Sequence, residues 1–182
     1  MRFVETPLQD AFVINLNPKE DNRGAFCRLF CSRLLKEHGI NDAHFVQVNL
    51  SENTAKGTLR GLHCQAEPYS EAKIVYCLQG SVYDAIVDLR PHSATYLKHF
   101  GIRLSHKDPC ALYIPKGFAH GFLTLEDDSR LVYLVSEFYQ PSFERGYRYD
   151  DPAFVINWPF KPSLISERDQ NHSSFEYNHV LC

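Results

Sequence analysis

The sequence predicts an all-β fold, a sandwich or a barrel built from short strands. Phe, Tyr and Trp make up 13% of its 182 residues. Runs of β-branched and aromatic residues recur between Gly, Pro, Asn and Asp residues, and this pattern is typical of such folds. Stretches that favour a helix are scarce. A chain of this length is expected to form one domain, here residues 1–182.

Two segments outside the strands have their own signals. Residues 32–38 are predicted to form a short helical insert, because Ser32 can cap its start and Gly39 can end it. From Gln140 onward the chain is rich in Pro, Asp, Asn and Ser. We therefore expect an irregular C-terminal segment that wraps the surface or reaches a partner subunit.

The clearest strand signal is a pair of apolar runs around Gln79 and Gly80. These two residues are predicted to join strands 73–78 and 81–89 as a hairpin. Apolar residues occupy both alternating positions of the second strand, so both of its faces are expected to be buried. Further strands are predicted at 45–50, 96–104, 111–114, 121–125 and 130–138.

The charge balance argues against nucleic acid and membrane surfaces as partners. With 19 Lys and Arg against 22 Asp and Glu, the formal net charge is −3, whereas such partners need clustered positive charge. The six cysteines contain no CxxC pair and follow no secretory leader. We therefore expect free thiols and a cytoplasmic location.

Two of the nine histidines are distinguished by their neighbours. His120 follows Pro115 and Gly117 in a Pro-x-Gly-x-x-His sequence, which resembles an element of cupin barrels. His63 lies in a segment with Arg60 and Gln65. A lone histidine is more often a core residue than a functional one, but two of them beside a lysine and an aspartate in one barrel favour a functional site.

A metal is not expected at this site. In metal-binding cupins, the histidine that corresponds to His120 binds the metal together with a His-x-His pair and a glutamate. That glutamate lies seven residues before a turn glycine. Here Gln65 replaces the second histidine and Lys73 stands seven residues before Gly80. A charged ammonium does not ligate a divalent ion, so we expect no metal and no cofactor.

Five motifs carry a more specific resemblance. In chain order they are Arg60-Gly61-Leu62-His63-x-Gln65, Lys73, Gly80-x-Val82-x-Asp84-x-x-Val87-Asp88-Leu89-Arg90, Pro115-x-Gly117-Phe118-Ala119-His120-Gly121-Phe122, and Asp150-Asp151-Pro152 with Asn157-Trp158-Pro159. Together they resemble the dTDP-4-dehydrorhamnose 3,5-epimerase family over almost the whole chain. The resemblance implies a cupin-type jelly roll (a double-stranded β-helix) and a homodimer. It also implies a nucleotide-diphosphate 4-keto-6-deoxy sugar as substrate and a role in dTDP-rhamnose and cell-surface polysaccharide biosynthesis.

Epimerisation beside a keto group needs a base, a stabiliser for the enolate oxygen and an acid on the opposite face. His63 is the expected base, because a histidine is largely neutral near pH 7. The resemblance implies Tyr133 as the acid and Asp169 as the carboxylate that orients His63. Taken alone, Tyr133 is interpreted as a barrel-lining aromatic and Asp169 as a surface charge.

Lys73 is expected to stabilise the enolate at C4, because a cation acts strongly on developing negative charge in a water-poor site. His120 and Asp84 are expected to share that task or to hold Lys73 in place. Lys73 and Asp84 would be neighbours on the facing strands of the predicted hairpin. A purely structural ion pair between them is the alternative.

The predicted substrate-binding residues are weaker assignments from the same resemblance. Arg23 and Arg60 are expected to bind the diphosphate through their planar guanidinium groups. The other expected contacts are the polar Gln47 and Asn49, and the aromatic Phe26 and Tyr139 as faces on which a base stacks.

Several alternatives stay open. Arg28 stands where many relatives carry a glutamate, which leaves the nucleotide undecided. Sister enzymes keep the base and acid but invert one carbon, so a mono-epimerase acting at C3 or C5 is an alternative. A metal-dependent cupin using His63 and His120 is another. A sugar-binding protein without turnover is the third.

Overall fold

Fourteen strands and two short α-helices form the regular structure of residues 1–41 and 44–176, the part of the chain that the computed structural model describes. The strands are β1 (Arg2–Glu5), β2 (Phe12–Asn15), β3 (Lys19–Asp21), β4 (Gly24–Phe26), β5 (Gln47–Asn53), β6 (Thr58–Gln65), β7 (Lys73–Gln79), β8 (Ser81–Asp88), β9 (His99–Ser105), β10 (Cys110–Ile114), β11 (Phe118–Thr124), β12 (Ser129–Val135), β13 (Glu144–Gly146) and β14 (Leu164–Ile165). The helices are α1 (Ser32–Glu37) and α2 (Glu167–Gln170), and a 3₁₀ turn covers Pro141–Phe143.

Two mainly antiparallel sheets form the body of the fold. The first has the strand order β1-β2-β10-β7-β12-β5, and the second has the order β13-β6-β11-β8-β9 with β14 added alongside β6. Strands that follow each other along the chain, such as β6, β7 and β8, alternate between the sheets. This crossing pattern is that of a jelly roll, so the expected cupin-type fold with a short helical insert is confirmed.

The main apolar core lies between the two sheets. Val75 and Leu112 contribute to it from the first sheet, and Ile86 and Leu104 contribute from the second. All four side chains are fully buried. Burial of this apolar surface is the main force that holds the two sheets together.

Each sheet is also covered on its outer face. Leu35 of α1 packs with Ile74 and Ala111 on the first sheet, and Phe154 of the C-terminal segment packs with Val87 on the second. The predictions of a β8 buried on both faces and of a C-terminal segment that wraps the surface are therefore confirmed.

The predicted hairpin between residues 73–78 and 81–89 is wrong. β7 pairs with β10 and β12, whereas β8 pairs with β9 and β11. Gly80, with a φ of +70°, turns the chain from one sheet into the other. Because both faces of each strand are apolar, the two strands bury more surface by facing each other across the core than by lying side by side.

The remaining predicted elements agree in kind and differ at their ends. The helix begins at Ser32, but Cys31 occupies the N-cap position. The predicted strands correspond to β5 and β9–β12, displaced by a few residues, as is usual for boundaries read from patterns. β6 has no counterpart among the predicted strands, because Gly61 and polar side chains interrupt its alternation.

The cysteine prediction is confirmed for four residues and wrong for one. Cys27, Cys31, Cys77 and Cys110 are free thiols, whereas Cys64 is disulfide-bonded. Spacing along the chain does not report distance in space, which is why the pattern failed at Cys64. Cys182 lies outside the described residues. No helix in the described part of the chain is long and apolar enough to cross a membrane.

Candidate active site

A cavity of about 630 Å³ is lined by residues of both sheets and of the C-terminal segment. Its size is that of a pocket for a small organic ligand. Six of the predicted site residues line it: Arg60, His63, Lys73, His120, Tyr133 and Asp169. The other six, which are Arg23, Phe26, Gln47, Asn49, Asp84 and Tyr139, lie outside its lining.

His63 and Asp169 are hydrogen-bonded in this cavity, although 106 residues separate them, with 2.9 Å between Nε2 and Oδ1. β6 carries His63 and α2 carries Asp169. Ser166 caps α2 by accepting a hydrogen bond from the Asp169 N–H, which fixes the carboxylate at the helix start. Asp169 is only 5% exposed, so its interpretation as a surface charge is wrong.

The carboxylate of Asp169 is held in its ionised form. Burial alone would raise the pKa of Asp169, but hydrogen bonds from His63 and from the Gly61 N–H, with nearby imidazole charge, lower it to about 2. An ionised carboxylate only accepts hydrogen bonds. His63 Nε2 must therefore carry a proton in this contact, and Nδ1 is the nitrogen left for other chemistry.

Gly61 makes this arrangement possible. Its φ is +101°, and a Cβ at this position would lie 2.6 Å from the carbonyl oxygen of His120. Only glycine combines this conformation with so close an approach of two strands. The Gly61 N–H thereby points at Asp169, 3.0 Å from Oδ2.

Lys73 is paired with a residue that the sequence patterns did not single out. Its Nζ lies 2.9 Å from Oε1 of Glu71, and both side chains are mostly buried. Gln65 donates a hydrogen bond to the other oxygen of Glu71. The expected contact between Lys73 and Asp84 is therefore corrected, because their strands lie in different sheets.

Asp84 contacts His120 instead. Both of its carboxylate oxygens lie 3.0 Å from His120 Nε2, and Asp84 is fully buried. His120 and His63 are direct partners in the pairing of β11 with β6. The wall of the cavity therefore carries two histidines, each oriented through Nε2 by a buried aspartate.

Tyr133 enters the cavity from the first sheet, whereas His63 enters it from the second. It lies on β12 in register with Asn49 of β5 and Val75 of β7. The cavity thus has a nitrogen base on one wall and a phenol on another.

Two arginines line the cavity. Arg60 donates to Asn53 through Nε, at 2.7 Å, and its side chain is exposed. Arg168, which the patterns did not identify, forms an ion pair of 2.6 Å with Glu144. Tyr139 donates to the same carboxylate, which places this predicted residue beside Arg168. In the sequence, only its position next to Asp169 could have marked Arg168 as a site residue.

The other predicted nucleotide contacts are not among the residues that line this cavity. Arg23 is paired with Asp21 at the turn of the β3–β4 ribbon, with its side chain 85% exposed. Phe26 of the same ribbon is 73% exposed. Gln47 accepts a hydrogen bond from the Tyr139 N–H, and Asn49 follows it on β5.

His172 completes a group that could hold a metal ion. Ligand atoms of His63, Asp169 and His172 all lie within 4.8 Å of one another. The cupin metal set proposed as an alternative fits less well, because His120 Nε2 is taken by Asp84. Lys73 also places an ammonium group in the cavity.

Comparison with known proteins gives a consistent result. The family model for dTDP-4-dehydrorhamnose 3,5-epimerase matches residues 5–177. The dTDP-4-dehydrorhamnose 3,5-epimerase of Shigella flexneri is 39% identical over 175 residues, which is 96% of each chain. The structure of dTDP-6-deoxy-D-glucose-3,5-epimerase from Legionella pneumophila, in complex with dTDP-4-keto-L-rhamnose, superposes with a TM-score of 0.87. It has 35% identity, and the match covers 92% of this chain and 89% of that one.

A relative with a narrower activity is also similar. The structure of a 3′-monoepimerase from Streptomyces bikiniensis, in complex with dTDP-quinovose, has a TM-score of 0.84 and 29% identity. The match covers 93% of this chain and 85% of that one.

Proposed function

Because this chain belongs to the dTDP-4-dehydrorhamnose 3,5-epimerase family, whose members are isomerases, we propose that it inverts C3 and C5 of dTDP-4-keto-6-deoxyglucose. The observation that carries this proposal is the hydrogen-bonded pair of His63 and the buried Asp169 in one cavity with Tyr133. A base and an acid that enter from different sheets suit a reaction that removes a proton from one face of the sugar and returns one to the other.

His63 starts the reaction by taking the proton from the carbon beside the C4 keto group. Nδ1 is the accepting atom, because Nε2 donates to Asp169. The electrons of the broken C–H bond move to the C4 oxygen and form an enolate. The negative charge of Asp169 stabilises the imidazolium that results.

Lys73 stabilises the enolate oxygen. Its ammonium group lies on the cavity wall and is mostly buried, which strengthens its action on developing charge. Glu71 accepts one of the three N–H groups of the Lys73 ammonium and holds that side chain in place. Two N–H groups are left for the substrate. His120, oriented by Asp84, lines the same cavity.

Tyr133 completes the step by donating its phenolic proton to the carbon from the opposite face. The enolate electrons re-form the C–H bond with inverted configuration, and the C4 keto group is restored. His63 then loses its proton to solvent and Tyr133 regains one. A second round at the other carbon inverts the second centre.

The arginines at the cavity suit the diphosphate of the substrate. Arg60 and Arg168 both line it, and a guanidinium group matches the geometry of phosphate oxygens. Arg23 and Phe26, which the resemblance implies as nucleotide contacts, lie on the exposed β3–β4 ribbon and are not among the residues that line the cavity of their own chain. We propose that they serve it from a second subunit.

A homodimer is supported by an exposed sheet edge. β5 is the last strand of the first sheet, and its Val48 and Leu50 are 66% and 57% exposed. An unprotected strand edge with outward apolar side chains needs a cover. A second copy of the chain would supply it. The cytoplasmic location and the single domain of residues 1–182 stay predictions.

A mono-epimerase acting on a related 4-keto sugar is the second candidate. The observation that favours it is the similarity to a 3′-monoepimerase of the same fold. Either activity uses the same base and acid, so the number of carbons that exchange their proton decides between them.

Hydrogen exchange tests the proposal directly. The protein is incubated in D2O with dTDP-4-keto-6-deoxyglucose, and proton NMR and mass spectrometry follow C3 and C5. We expect deuterium at both carbons. Exchange at one carbon would instead indicate the mono-epimerase. No exchange at either would contradict the proposed function.

A further inference from the structure

His172 has a buried nitrogen that forms no hydrogen bond and whose charged neighbour is Asp169. Among residues 1–41 and 44–176, its Nε2 is the buried side-chain polar atom without a hydrogen bond. Such an atom is costly to leave unpaired. It lies 3.5 Å from Oδ1 of Asp169, and its ring stands perpendicular to that of His63 with 5.7 Å between ring centres.

The backbone leaves space for this histidine. Gly146 of β13 is the direct partner of His63 on β6, and a Cβ at Gly146 would collide with the His172 ring. His172 follows α2, three residues after Asp169. Two histidines and an aspartate from two distant parts of the chain, β6 and the segment at α2, are thus brought to one point.

The donor set suits zinc, and one of its distances already matches a zinc site. Two imidazole nitrogens and a carboxylate oxygen are ligands of zinc sites that keep a position open. Bonds of about 2.0–2.2 Å in tetrahedral geometry place donor atoms about 3.3–3.6 Å apart. The distance from His172 Nε2 to Asp169 Oδ1 is 3.5 Å. The 2.9 Å between His63 Nε2 and Oδ1 needs to open slightly, and the Gly61 N–H supports the carboxylate from behind.

We propose that His63, Asp169 and His172 bind a Zn²⁺ ion that inhibits the enzyme. A nitrogen–zinc bond forms at His63 Nε2, and the proton which that nitrogen carried moves through solvent to Nδ1, so the ring stays neutral; no electrons are transferred. The bound cation neutralises Asp169, and Nδ1, which now carries the ring proton, has no lone pair with which to accept a proton from the substrate. The inhibition rests on the proposed function, whereas the binding does not.

Zinc binding is tested without substrate. Chelator-treated protein is titrated with ZnCl2 against a chromophoric zinc indicator, and Co²⁺ absorption spectra report the coordination geometry. We expect one zinc per chain in the wild type and, in His172→Phe, an affinity at least about a hundredfold weaker, since even partners that only support a ligand are worth 10- to 100-fold. His172→Asn, a polar replacement, is the second variant, and His92→Ala removes an exposed histidine as the control. No stoichiometric binding, or equal affinity in the wild type and both His172 variants, would overturn the site.

Inhibition is tested by the exchange assay with and without zinc. We expect the wild-type rate to fall in proportion to zinc occupancy and to return with chelator, while His172→Phe keeps its own zinc-free rate. Zinc that binds through His172 without slowing exchange would overturn the inhibition. A wild type that binds zinc through His172 but never exchanges protons would contradict the proposed function and support the zinc site.

Discussion

A single carboxylate decides which atom of His63 is available for chemistry. The pKa of Asp169 is lowered to about 2, so its carboxylate is ionised at neutral pH. It therefore accepts a hydrogen bond from His63 Nε2, which carries the proton. The proposal that Nδ1 acts as the base rests on this contact, because the two ring nitrogens of a histidine are distinguished only by the hydrogen bonds they make. Asp84 orients His120 in the same way, through Nε2. We propose no tyrosine as an acid partner for His120.

Replacing the base or the acid should remove most of the activity. We expect His63→Ala and Tyr133→Phe each to lower kcat by roughly a hundredfold or more, the usual contribution of a general acid or base. The measurement is turnover of dTDP-4-keto-6-deoxyglucose by variants whose circular dichroism matches the wild type. Tyr83→Phe is the matched control, since Tyr83 packs against Trp158 away from the cavity. Wild-type rates in folded His63→Ala would contradict the mechanism.

Short elements at the C-terminal end deliver the carboxylate. β14 adds to the edge of β6, and α2 begins directly afterwards at the Ser166 cap. On β6 itself, the unusual backbone of Gly61 turns an N–H toward α2. The contact between Asp169 and His63 thus depends on the path of two backbones as much as on the two side chains.

A methyl group at Gly61 should disturb this junction. We expect Gly61→Ala to lower the free energy of unfolding by roughly 2–4 kcal/mol, from strain at positive φ and from overlap with the His120 carbonyl. Gly39→Ala is the control, because Gly39 has a φ of +80° with no atom within 4 Å of its Cβ position. It should lose only roughly 1 kcal/mol. Equal losses in urea denaturation would show that crowding at Gly61 is unimportant.

The turn after β8 should make stability depend on acid pH. Burial would raise the pKa of Asp88, but hydrogen bonds from Arg90, Ser93 and Thr95 outweigh it and lower the pKa below its usual value. Below the ordinary aspartate pKa of about 3.9, the unfolded chain binds a proton that the folded chain does not. The stabilisation is therefore complete at higher pH and is lost as pH falls through the lowered pKa.

Urea denaturation at a series of pH values between 6 and 3 measures this effect. The free energy of unfolding should fall more steeply with decreasing pH in the wild type than in Asp88→Asn. Asp108→Asn changes an exposed aspartate. In this variant, the free energy of unfolding should depend on pH as steeply as in the wild type. Parallel profiles for wild type and Asp88→Asn would refute the assignment.

At the scale of the whole molecule, the two sheets set which predicted residues meet. Arg60, His63 and His120 come from the second sheet, and Lys73 and Tyr133 come from the first. Arg23 and Phe26 lie on a separate two-stranded ribbon. One chain therefore supplies the proposed acid and base, while the role proposed for the ribbon as a nucleotide contact depends on the proposed homodimer.

A charge on the exposed β5 edge should weaken that assembly. We expect Val48→Asp to shift the protein from dimer to monomer in light scattering coupled to size exclusion, because burying an unpaired carboxylate is costly. Val155→Asp is the control, since Val155 is 67% exposed and Val48 is 66% exposed. A wild type that runs as a monomer would contradict the homodimer.

Local residue patterns were sufficient for the all-β class, for the helix near Ser32 and for a C-terminal segment without long elements. The order of the motifs was sufficient to identify the family. It also identified six residues that line one cavity. These properties depend on residue type and on spacing over a few positions, which the order of residues records directly.

Pairing between distant segments was decided by packing alone. The pattern around Gly80 fits a hairpin, yet β7 and β8 face each other across the core. For that reason Lys73 meets Glu71 rather than Asp84, and His172 reaches Asp169 and His63. Which side chains meet therefore depends on how segments that are far apart in the chain pair, and the free energy of that pairing depends on how whole sheets bury their faces.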